Sequence, residues 1–108
     1  MIDFNNIEET IEPHFKGGNG VAKMRMFHDG KNRIMKGTLE KGCSIGMHTH
    51  ETNSEIFYVV SGQAKVIIDG REEIVNEGQC HYCPKGSTHE TINNTEEDLV
   101  LFCVVPEQ

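Results

Sequence analysis

Apolar and polar residues alternate in short runs along most of the chain. From Arg33 onward these runs are rich in Val, Ile, Phe and Tyr, and Gly, Asn, Asp and Pro separate them, which is typical of β-strands joined by tight turns. The pattern predicts nine strands, at residues 22–27, 33–39, 44–50, 56–60, 64–68, 72–75, 79–83, 90–92 and 99–105. No helix of ordinary length is expected after residue 20. Many short strands with close turns predict an all-β sandwich or barrel.

The strongest turn signal in the chain is Asp69-Gly70, which separates the β-type runs 66–68 and 72–75. Both residue types readily adopt the positive φ angles that a two-residue hairpin turn requires. We therefore expect these two runs to form adjacent, antiparallel strands.

Residues 1–20 have a different pattern from the rest of the chain. Ile7 and Ile11 are spaced to share one helical face, and Pro13 would end such a helix. We expect an N-terminal arm, residues 1–20, with one helical turn or no regular structure, followed by one domain, residues 21–108. The glycine-rich stretch 16–20 lacks the sequence of a phosphate-binding loop and is interpreted as a flexible connection.

Two of the predicted strands, 56–60 and 99–105, are apolar at both alternating positions. Such strands need cover on both faces, because each face presents apolar side chains. One face belongs to the core, and the other requires the N-terminal arm or a second subunit. We therefore predict a homodimer.

The charge balance and the apolar runs exclude several classes of partner. The 108-residue chain carries 17 Asp and Glu against 10 Lys and Arg, and an acidic surface repels nucleic-acid phosphates. No apolar run approaches the ~18 residues of a membrane span, and the N-terminus does not resemble a secretory signal. We expect no nucleic-acid partner, no membrane segment and a cytoplasmic location.

The four cysteines, Cys43, Cys80, Cys83 and Cys103, are expected to be free thiols that fill space in or near the core. Cys80 and Cys83 have the spacing of a zinc or redox pair, but no second pair follows them. They also lie on one predicted strand, where positions three apart point to opposite faces. This pair is therefore not expected to bind a metal.

Four other residues form a candidate metal site. His48 and His50 are two apart on a predicted strand and so project from the same face. A short turn after the polar loop that follows would bring the Glu55 carboxylate beside both rings, and His89 begins a later strand after the Pro84–Gly86 turn. Three imidazoles and one carboxylate suit a divalent first-row ion, with Mn, Fe, Co, Ni and Zn all possible.

These residues also carry a family resemblance. The stretch Gly42-x5-His48-x-His50-x4-Glu55-x6-Gly62 resembles the first cupin motif, and Gly78-x5-Pro84-x-Gly86-x2-His89-x3-Asn93 resembles the second, at every defining position. The resemblance implies a jelly-roll β-barrel of two antiparallel sheets, a tendency to dimerise, and a metal held by His48, His50, Glu55 and His89. It does not imply one reaction, because cupins include dioxygenases, decarboxylases, isomerases, lyases, storage proteins and sugar-sensing domains.

Residues 79–83 depart from the usual second motif. If His81 and Cys83 share the inward face, His81 is a candidate catalytic residue, a general acid or base, since imidazole exchanges protons near neutral pH. The alternative is a partly exposed histidine at a strand edge. Tyr58 and Tyr82 have the opposite parity and are expected to face away from the metal.

The leading hypothesis is a metal-dependent enzyme that acts on a small polar metabolite, with carboxylates, enolates or sugars as the expected substrates. Phe57 and Val59 are expected on the inner wall near the metal, where they would form an apolar pocket. The alternative is a non-catalytic module that binds or senses a sugar or another small ligand. His14 and His28 have no motif partners and are expected to be surface residues.

Overall fold

Ten β-strands in two sheets make up most of the protein, and the computed structural model describes all of residues 1–108. The strands are β1 Thr10–Pro13, β2 Val21–His28, β3 Asn32–Leu39, β4 Ser44–Thr49, β5 Glu55–Ser61, β6 Gln63–Ile68, β7 Arg71–Asn76, β8 Cys80–Cys83, β9 Thr88–Ile92 and β10 Leu99–Pro106. A six-stranded sheet has the order β1-β2-β3-β10-β5-β8, and a four-stranded sheet has the order β4-β9-β6-β7. Every pairing is antiparallel, which confirms the predicted jelly roll of two antiparallel sheets.

The nine strands predicted from the hydrophobic pattern are all present, with ends within two residues of the predicted ones. The Asp69-Gly70 turn joins β6 to β7, and its two residues have φ angles of 48° and 81°. This confirms the hairpin, because a two-residue turn with both φ angles positive matches the twist of the paired strands. No helix has the length or the apolar character needed to cross a membrane.

The N-terminal arm contains a strand that the sequence pattern did not predict. β1 pairs with β2 at the edge of the six-stranded sheet. Ile7 and Ile11 share no helix, and the helical turns of this region are short 3-10 turns at Phe4–Asn6 and Phe15–Gly17. The expected helical turn across Ile7 and Ile11 was therefore wrong. Pairing with β2 satisfies backbone groups that a single isolated helical turn would leave open.

The glycine-rich stretch 16–20 is packed against β4, so its interpretation as a flexible connection was wrong. The Asn19 carbonyl accepts a hydrogen bond from the Ser44 N–H (2.9 Å), and the Asn19 N–H donates to Ser44 Oγ (2.8 Å). A Cβ atom on Gly46 would lie 2.7 Å from the Gly18 nitrogen, closer than Cβ atoms approach other heavy atoms in proteins. Only glycine at position 46 lets the two backbones approach this closely.

The core lies between the two sheets and follows the alternation of each strand. On β5, Glu55, Phe57 and Val59 are buried, whereas Ile56 and Tyr58 are exposed. Tyr58 therefore faces away from the interior, as predicted. Other buried apolar residues complete the core from both sheets: Ala22, Leu39, Ala64, Val66, Ile68, Val75, Leu99, Leu101 and Cys103. Glu55 reaches the interior because it shares the core-facing side of β5 with Phe57 and Val59.

Part of the outer face of the six-stranded sheet is apolar, at β5 and β10, as the two-sided hydrophobic pattern of these strands indicated. A row of apolar side chains crosses β3, β10, β5 and β8 in register: Ile34, Val104, Ile56 and Tyr82. The N-terminal arm covers part of this face, with the Phe4 ring 6.2 Å from the Phe102 ring. Ile56 and Tyr58 remain 37% and 43% exposed, so the arm does not cover β5.

Candidate metal centre

Three histidines of the four-stranded sheet and its loop meet one glutamate of the six-stranded sheet between the two layers. The donor atoms of His48, His50, Glu55 and His89 all lie within 4.8 Å of one another. His50, Glu55 and His89 are buried, and His48 is half-buried. The structure thus brings together the four side chains that the motif spacing singled out.

Strand pairing explains how residues so far apart in sequence meet. His48 on β4 lies directly opposite His89 on β9. His50 follows the end of β4, where its carbonyl accepts a hydrogen bond from the Gly86 N–H (2.7 Å). Glu55 is the first residue of β5 in the opposite sheet. The carboxylate therefore approaches the three rings from across the barrel interior.

Each ring directs its Nε2 atom towards the Glu55 carboxylate. The distance from Glu55 Oε1 to Nε2 is 3.1 Å for His50, 3.3 Å for His89 and 3.9 Å for His48. The Nε2 atoms of His50 and His89 are 3.0 Å apart. All four donor groups therefore point towards one small volume.

The opposite ring nitrogen, Nδ1, of each histidine is engaged by a partner outside this cluster. His48 Nδ1–H donates to the Gly46 carbonyl (2.7 Å), and His50 Nδ1–H donates to Asn53 Oδ1 (2.6 Å). These oxygens only accept, so in each neutral ring the hydrogen sits on Nδ1 and Nε2 keeps its lone pair. Such outer partners orient metal-binding histidines in proteins generally.

The donor set fits a divalent first-row transition ion. When the hydrogens sit on Nδ1, the Nε2 lone pairs of His50 and His89 face each other across 3.0 Å, which is unfavourable unless a cation or a proton lies between them. One ion could take a nitrogen from each ring and an oxygen from Glu55. Three nitrogens and one oxygen without a thiolate are compatible with Mn, Fe, Co, Ni or Zn, so the donors do not select one of these metals.

The electrostatics of the cluster favour ionised Glu55 beside neutral His89. Burial opposes a charge on Glu55, but the adjacent rings of His48, His50 and His89 hold the pKa of its carboxyl well below the ordinary value. The same carboxylate raises the pKa of His50 through their hydrogen bond. Burial lowers the pKa of His89, which favours its neutral ring. An ionised carboxylate and a neutral imidazole are the forms that bind metal ions.

His81 lies inside the barrel and behind His89. It is fully buried, on the same face of β8 as Cys83, so it is not the partly exposed edge histidine that the alternative interpretation described. Its Nε2 is 2.9 Å from His89 Nδ1, and its Nδ1 is 2.7 Å from Glu73 Oε1. His81 does not line the cavity described next, so its contact with the centre is through His89.

A cavity of about 450 Å³ opens onto His48, His50 and Glu55. Its apolar wall comes mainly from β2, β3, β4 and β10: Met24, Met26, Met35, Ile45, Leu101 and Val105. Lys16 and Arg33 also line it, and neither takes part in a salt bridge. The volume lies in the range of small-molecule sites, about 300–1,000 Å³.

The expected wall residues, Phe57 and Val59, do not line this cavity. Both are completely buried in the core. They share a face with Glu55, but each step along β5 carries the chain away from the cavity and deeper between the sheets. Parity along one strand identifies the face of a side chain, whereas its depth in the barrel depends on how both sheets pack.

The other histidines and the cysteines have the burial that the sequence predicted, with the exception of Cys80. His14 and His28 are exposed, as predicted. The cysteines are free thiols, and Cys43, Cys83 and Cys103 are buried. Cys80 is exposed instead of packed, because it has the outward parity on β8.

Sequence reasoning missed several polar residues around the centre and its cavity, among them Glu73, Arg33 and Asn53. Glu73 shares a face of β7 with the buried Val75, and Arg33 shares a face of β3 with Met35. A charged residue at the core-facing parity of a strand was a signal that the pattern contained. Asn53, in the loop after His50, had no signal beyond its proximity in sequence.

The fold and the donor set define a class of proteins, small antiparallel β-barrels with an interior cluster of three histidines and one glutamate that could hold a metal ion. Residues 35–105 match the family model of the cupin domain. The chain therefore belongs to the cupin family.

Two proteins that are similar in sequence to this chain have different names. The oxalate-binding protein of Thermotoga maritima is 24% identical over 98 residues, which are 85% of this chain and 81% of that protein. The pectin degradation protein KdgF of Dickeya dadantii is 25% identical over 68 residues, which are 63% of this chain and 62% of that protein.

Solved structures show the same fold. The crystal structure of a "predicted oxalate decarboxylase" from Thermotoga maritima has a TM-score of 0.92 and 23% identity, and the match covers 100% of this chain and 99% of that one. A sugar phosphate isomerase of the cupin superfamily from Silicibacter pomeroyi has a TM-score of 0.79 and 19% identity, covering 100% and 76%. At these identities the likeness establishes the fold alone.

Proposed function

We propose that this protein is a metal-dependent enzyme that acts on a small metabolite carrying a carboxylate or a similar anionic group. His48, His50, Glu55 and His89 would hold one divalent ion. The observation that carries the proposal is the opening of an apolar cavity onto three of these donors, with Lys16 and Arg33 in its lining. An anion could contact the ion and a basic side chain at the same time.

The residues of the cavity support a small anionic ligand. Arg33 projects from the core-facing side of β3 and makes no salt bridge, so its guanidinium can pair with a carboxylate in two parallel hydrogen bonds. Met24, Met26 and Met35 surround the remaining space, and flexible thioether side chains adapt to ligands of different shape. The oxalate-binding relative is consistent with a carboxylate ligand.

The division of labour within the site follows from its contacts. A bound divalent ion would supply a Lewis acid that polarises a substrate oxygen. Glu55 and the three rings hold that position, Arg33 orients the anionic group, and the methionine wall excludes water from the rest of the substrate. Exclusion of water strengthens each charge interaction in the cavity.

Metal analysis tests the first half of the proposal. Untagged protein purified without chelator or a nickel column should retain about one transition ion per chain. His50→Ala should reduce the metal content to background, whereas His28→Ala, at an exposed histidine outside the cluster, should leave it unchanged. Wild-type protein that holds no metal and binds none in calorimetric titrations would overturn the metal site.

A ligand screen tests the second half. Metal-loaded protein is screened against dicarboxylates, 2-oxo acids and sugar acids by thermal shift, and hits are followed for product formation by NMR. Arg33→Ala should weaken the affinity for an anionic hit by about 10-fold or more, the loss of one charge-assisted hydrogen-bonding group. Arg71→Ala, at an exposed arginine on β7, is the matched control. Equal affinities for the two variants would argue against anion recognition by Arg33.

A non-catalytic module that binds a sugar or another small ligand is the second candidate function. The position of His81 favours it, because the one acid-base residue that the sequence suggested does not line the cavity. Ligands that raise the unfolding temperature but are recovered unchanged after prolonged incubation with each metal form would support the binding module. The appearance of any product would favour the enzyme.

We also propose that the protein is a cytoplasmic homodimer that uses the outer face of the six-stranded sheet. The row of Ile34, Val104, Ile56 and Tyr82 and the exposure of β5 support a second copy as its cover. Light scattering should give twice the chain mass at micromolar concentration, and Ile56→Lys should give the monomer mass with the fold intact. A monomeric wild-type protein would contradict the proposal.

A further inference from the structure

A chain of hydrogen bonds runs from the surface of the barrel to the back of the metal centre. Glu73 on β7 is 39% exposed, and its Oε1 is 2.7 Å from Nδ1 of the fully buried His81. His81 Nε2 is in turn 2.9 Å from His89 Nδ1. His89 Nε2 faces Glu55 at 3.3 Å. The three side chains Glu73, His81 and His89 therefore form one continuous line to the donor cluster.

The carboxylate of Glu73 determines where the hydrogens lie along this chain of hydrogen bonds. An ionised carboxylate only accepts, so His81 must carry a hydrogen on Nδ1 to bond with Glu73. When the His81 ring is neutral, its Nε2 is then an acceptor, and His89 must donate to it from Nδ1. The remaining nitrogen of His89, Nε2, keeps its lone pair and points at Glu55.

His89 differs from the other two histidines of the cluster in this respect. The Nδ1 atom of His48 faces a backbone carbonyl oxygen, and the Nδ1 atom of His50 faces a side-chain amide oxygen. Both oxygens can only accept a hydrogen bond. The partner of His89 is a nitrogen that can either donate or accept, so His81 alone does not determine the tautomer of His89. Glu73 removes this ambiguity.

Packing holds the intermediate ring in place. The His81 and His89 rings are nearly parallel, with an interplanar angle of 20° and a centroid distance of 5.2 Å, and lie edge to edge across their hydrogen bond. The ring of Phe57, which pairs with His81 between β5 and β8, lies 4.9 Å from the His81 ring. β8 and β7 are edge strands of different sheets, so the Glu73–His81 contact also joins the two sheets beside the centre.

We propose that Glu73 and His81 are positioning residues that hold His89 in the tautomer whose Nε2 lone pair binds the metal. This inference rests on the proposed metal site and concerns how one of its ligands is prepared. It assigns a role to the carboxylate on β7, which does not line the cavity or belong to the donor cluster.

Metal affinity measured by calorimetry is the first readout. His81→Phe keeps an aromatic ring but loses both hydrogen bonds, and it should weaken metal binding by 10- to 100-fold, the usual effect of removing such a partner. His81→Gln can still accept from His89 Nδ1–H through its amide oxygen and should recover most of the affinity. Glu73→Ala should weaken binding by about 10-fold. Glu72→Ala, next to it on β7 and paired with Lys65 on the surface, should have no effect.

The ring nitrogens of His89 provide the second readout, which does not depend on a bound metal. Long-range 1H–15N NMR of the metal-free protein should show the hydrogen of neutral His89 on Nδ1 in the wild type and in Glu72→Ala. In Glu73→Ala and His81→Phe this preference should be lost. Circular dichroism and thermal unfolding identify the variants that fold. If His81→Phe does not fold, Glu73→Ala and His81→Gln are compared with the wild type instead.

The outcomes separate this inference from the function it rests on. Wild-type protein without metal affinity would overturn the metal site, and the NMR comparison would still test the tautomer. Metal affinities within twofold of wild type for folded Glu73→Ala and His81→Phe would overturn the positioning role. An unchanged His89 tautomer in both variants would overturn it as well.

Discussion

Asn93, the last residue of the second motif, serves the fold and does not approach the donor cluster. It is completely buried. Its Nδ2 donates to the carbonyls of Leu39 and Glu97 (2.8 Å each), and its Oδ1 accepts from the N–H and the hydroxyl of Thr95 (3.0 and 2.8 Å). One side chain thus ties the end of β3 to the turn between β9 and β10. We predict that Asn93→Ala is strongly destabilising.

The size of the effect follows from these four hydrogen bonds. The buried Leu39 carbonyl would lose a donor at a cost of about 1–3 kcal/mol, and the three bonds to Glu97 and Thr95 contribute about 0.5–1.5 kcal/mol each, nearer the lower value because water can replace them. The free energy of unfolding should therefore fall by about 3–5 kcal/mol. At roughly 4–8 °C per kcal/mol for a domain of this size, the unfolding temperature should drop by at least ~12 °C.

Urea and thermal unfolding of metal-free protein measure this loss. Asn94→Ala is the matched control, since Asn94 is exposed and its side chain makes no hydrogen bond, so it should change the free energy of unfolding by less than about 0.5 kcal/mol. Asn93→Asp keeps the acceptor but replaces the donating amide by a buried charge facing two carbonyls, and should be at least as damaging as alanine. A difference of under ~1 kcal/mol between Asn93→Ala and Asn94→Ala would refute the reasoning.

Three further predictions concern protonation, thiol chemistry and the packed glycine. The hydrogen bond that protonated His50 donates to Glu55 raises the pKa of His50, so protons compete with metal at a higher pH than for an ordinary histidine. Calorimetry from about pH 8 to about pH 5.5 should show the metal affinity falling on acidification, and a constant affinity would contradict this. Iodoacetamide should add one label to the folded protein, at Cys80, because the other thiols are buried, and mass spectrometry should find further labels only after unfolding. Gly46→Ala would press its Cβ against the Lys16 carbonyl and displace the stretch 16–20, so trypsin should cleave after Lys16 faster than in wild type; equal cleavage rates would count against the close contact.

Local spacing was sufficient to predict much of the site. His48 and His50 share a face because side chains alternate on a strand, and Glu55 has the inward parity of Phe57 and Val59. The Asp69-Gly70 hairpin was equally predictable, since two residues with accessible positive φ leave few other turn geometries. Each of these inferences depends on neighbours within about a dozen residues.

The position of β1 could not be predicted in this way. A four-residue segment ending in Pro13 has too little pattern to distinguish strand from turn, and its structure depends on pairing with β2, which begins only after the stretch 16–20. The same limit applies to the cavity wall. Phe57 has the correct parity but the wrong depth, and only the packing of the two sheets decided that the methionines of β2 and β3 line the cavity.

The sequence by itself determined the strands, their inward faces and the four donor residues, because these follow from local periodicity and from two compact motifs. The tertiary structure alone decided the partners of those donors. His81 contacts His89 and Glu73 because β8 lies in the six-stranded sheet, opposite β9 and β7 of the four-stranded sheet. Contacts across sheets depend on strand order and register, and a shift of one residue would turn each of these side chains to the opposite face.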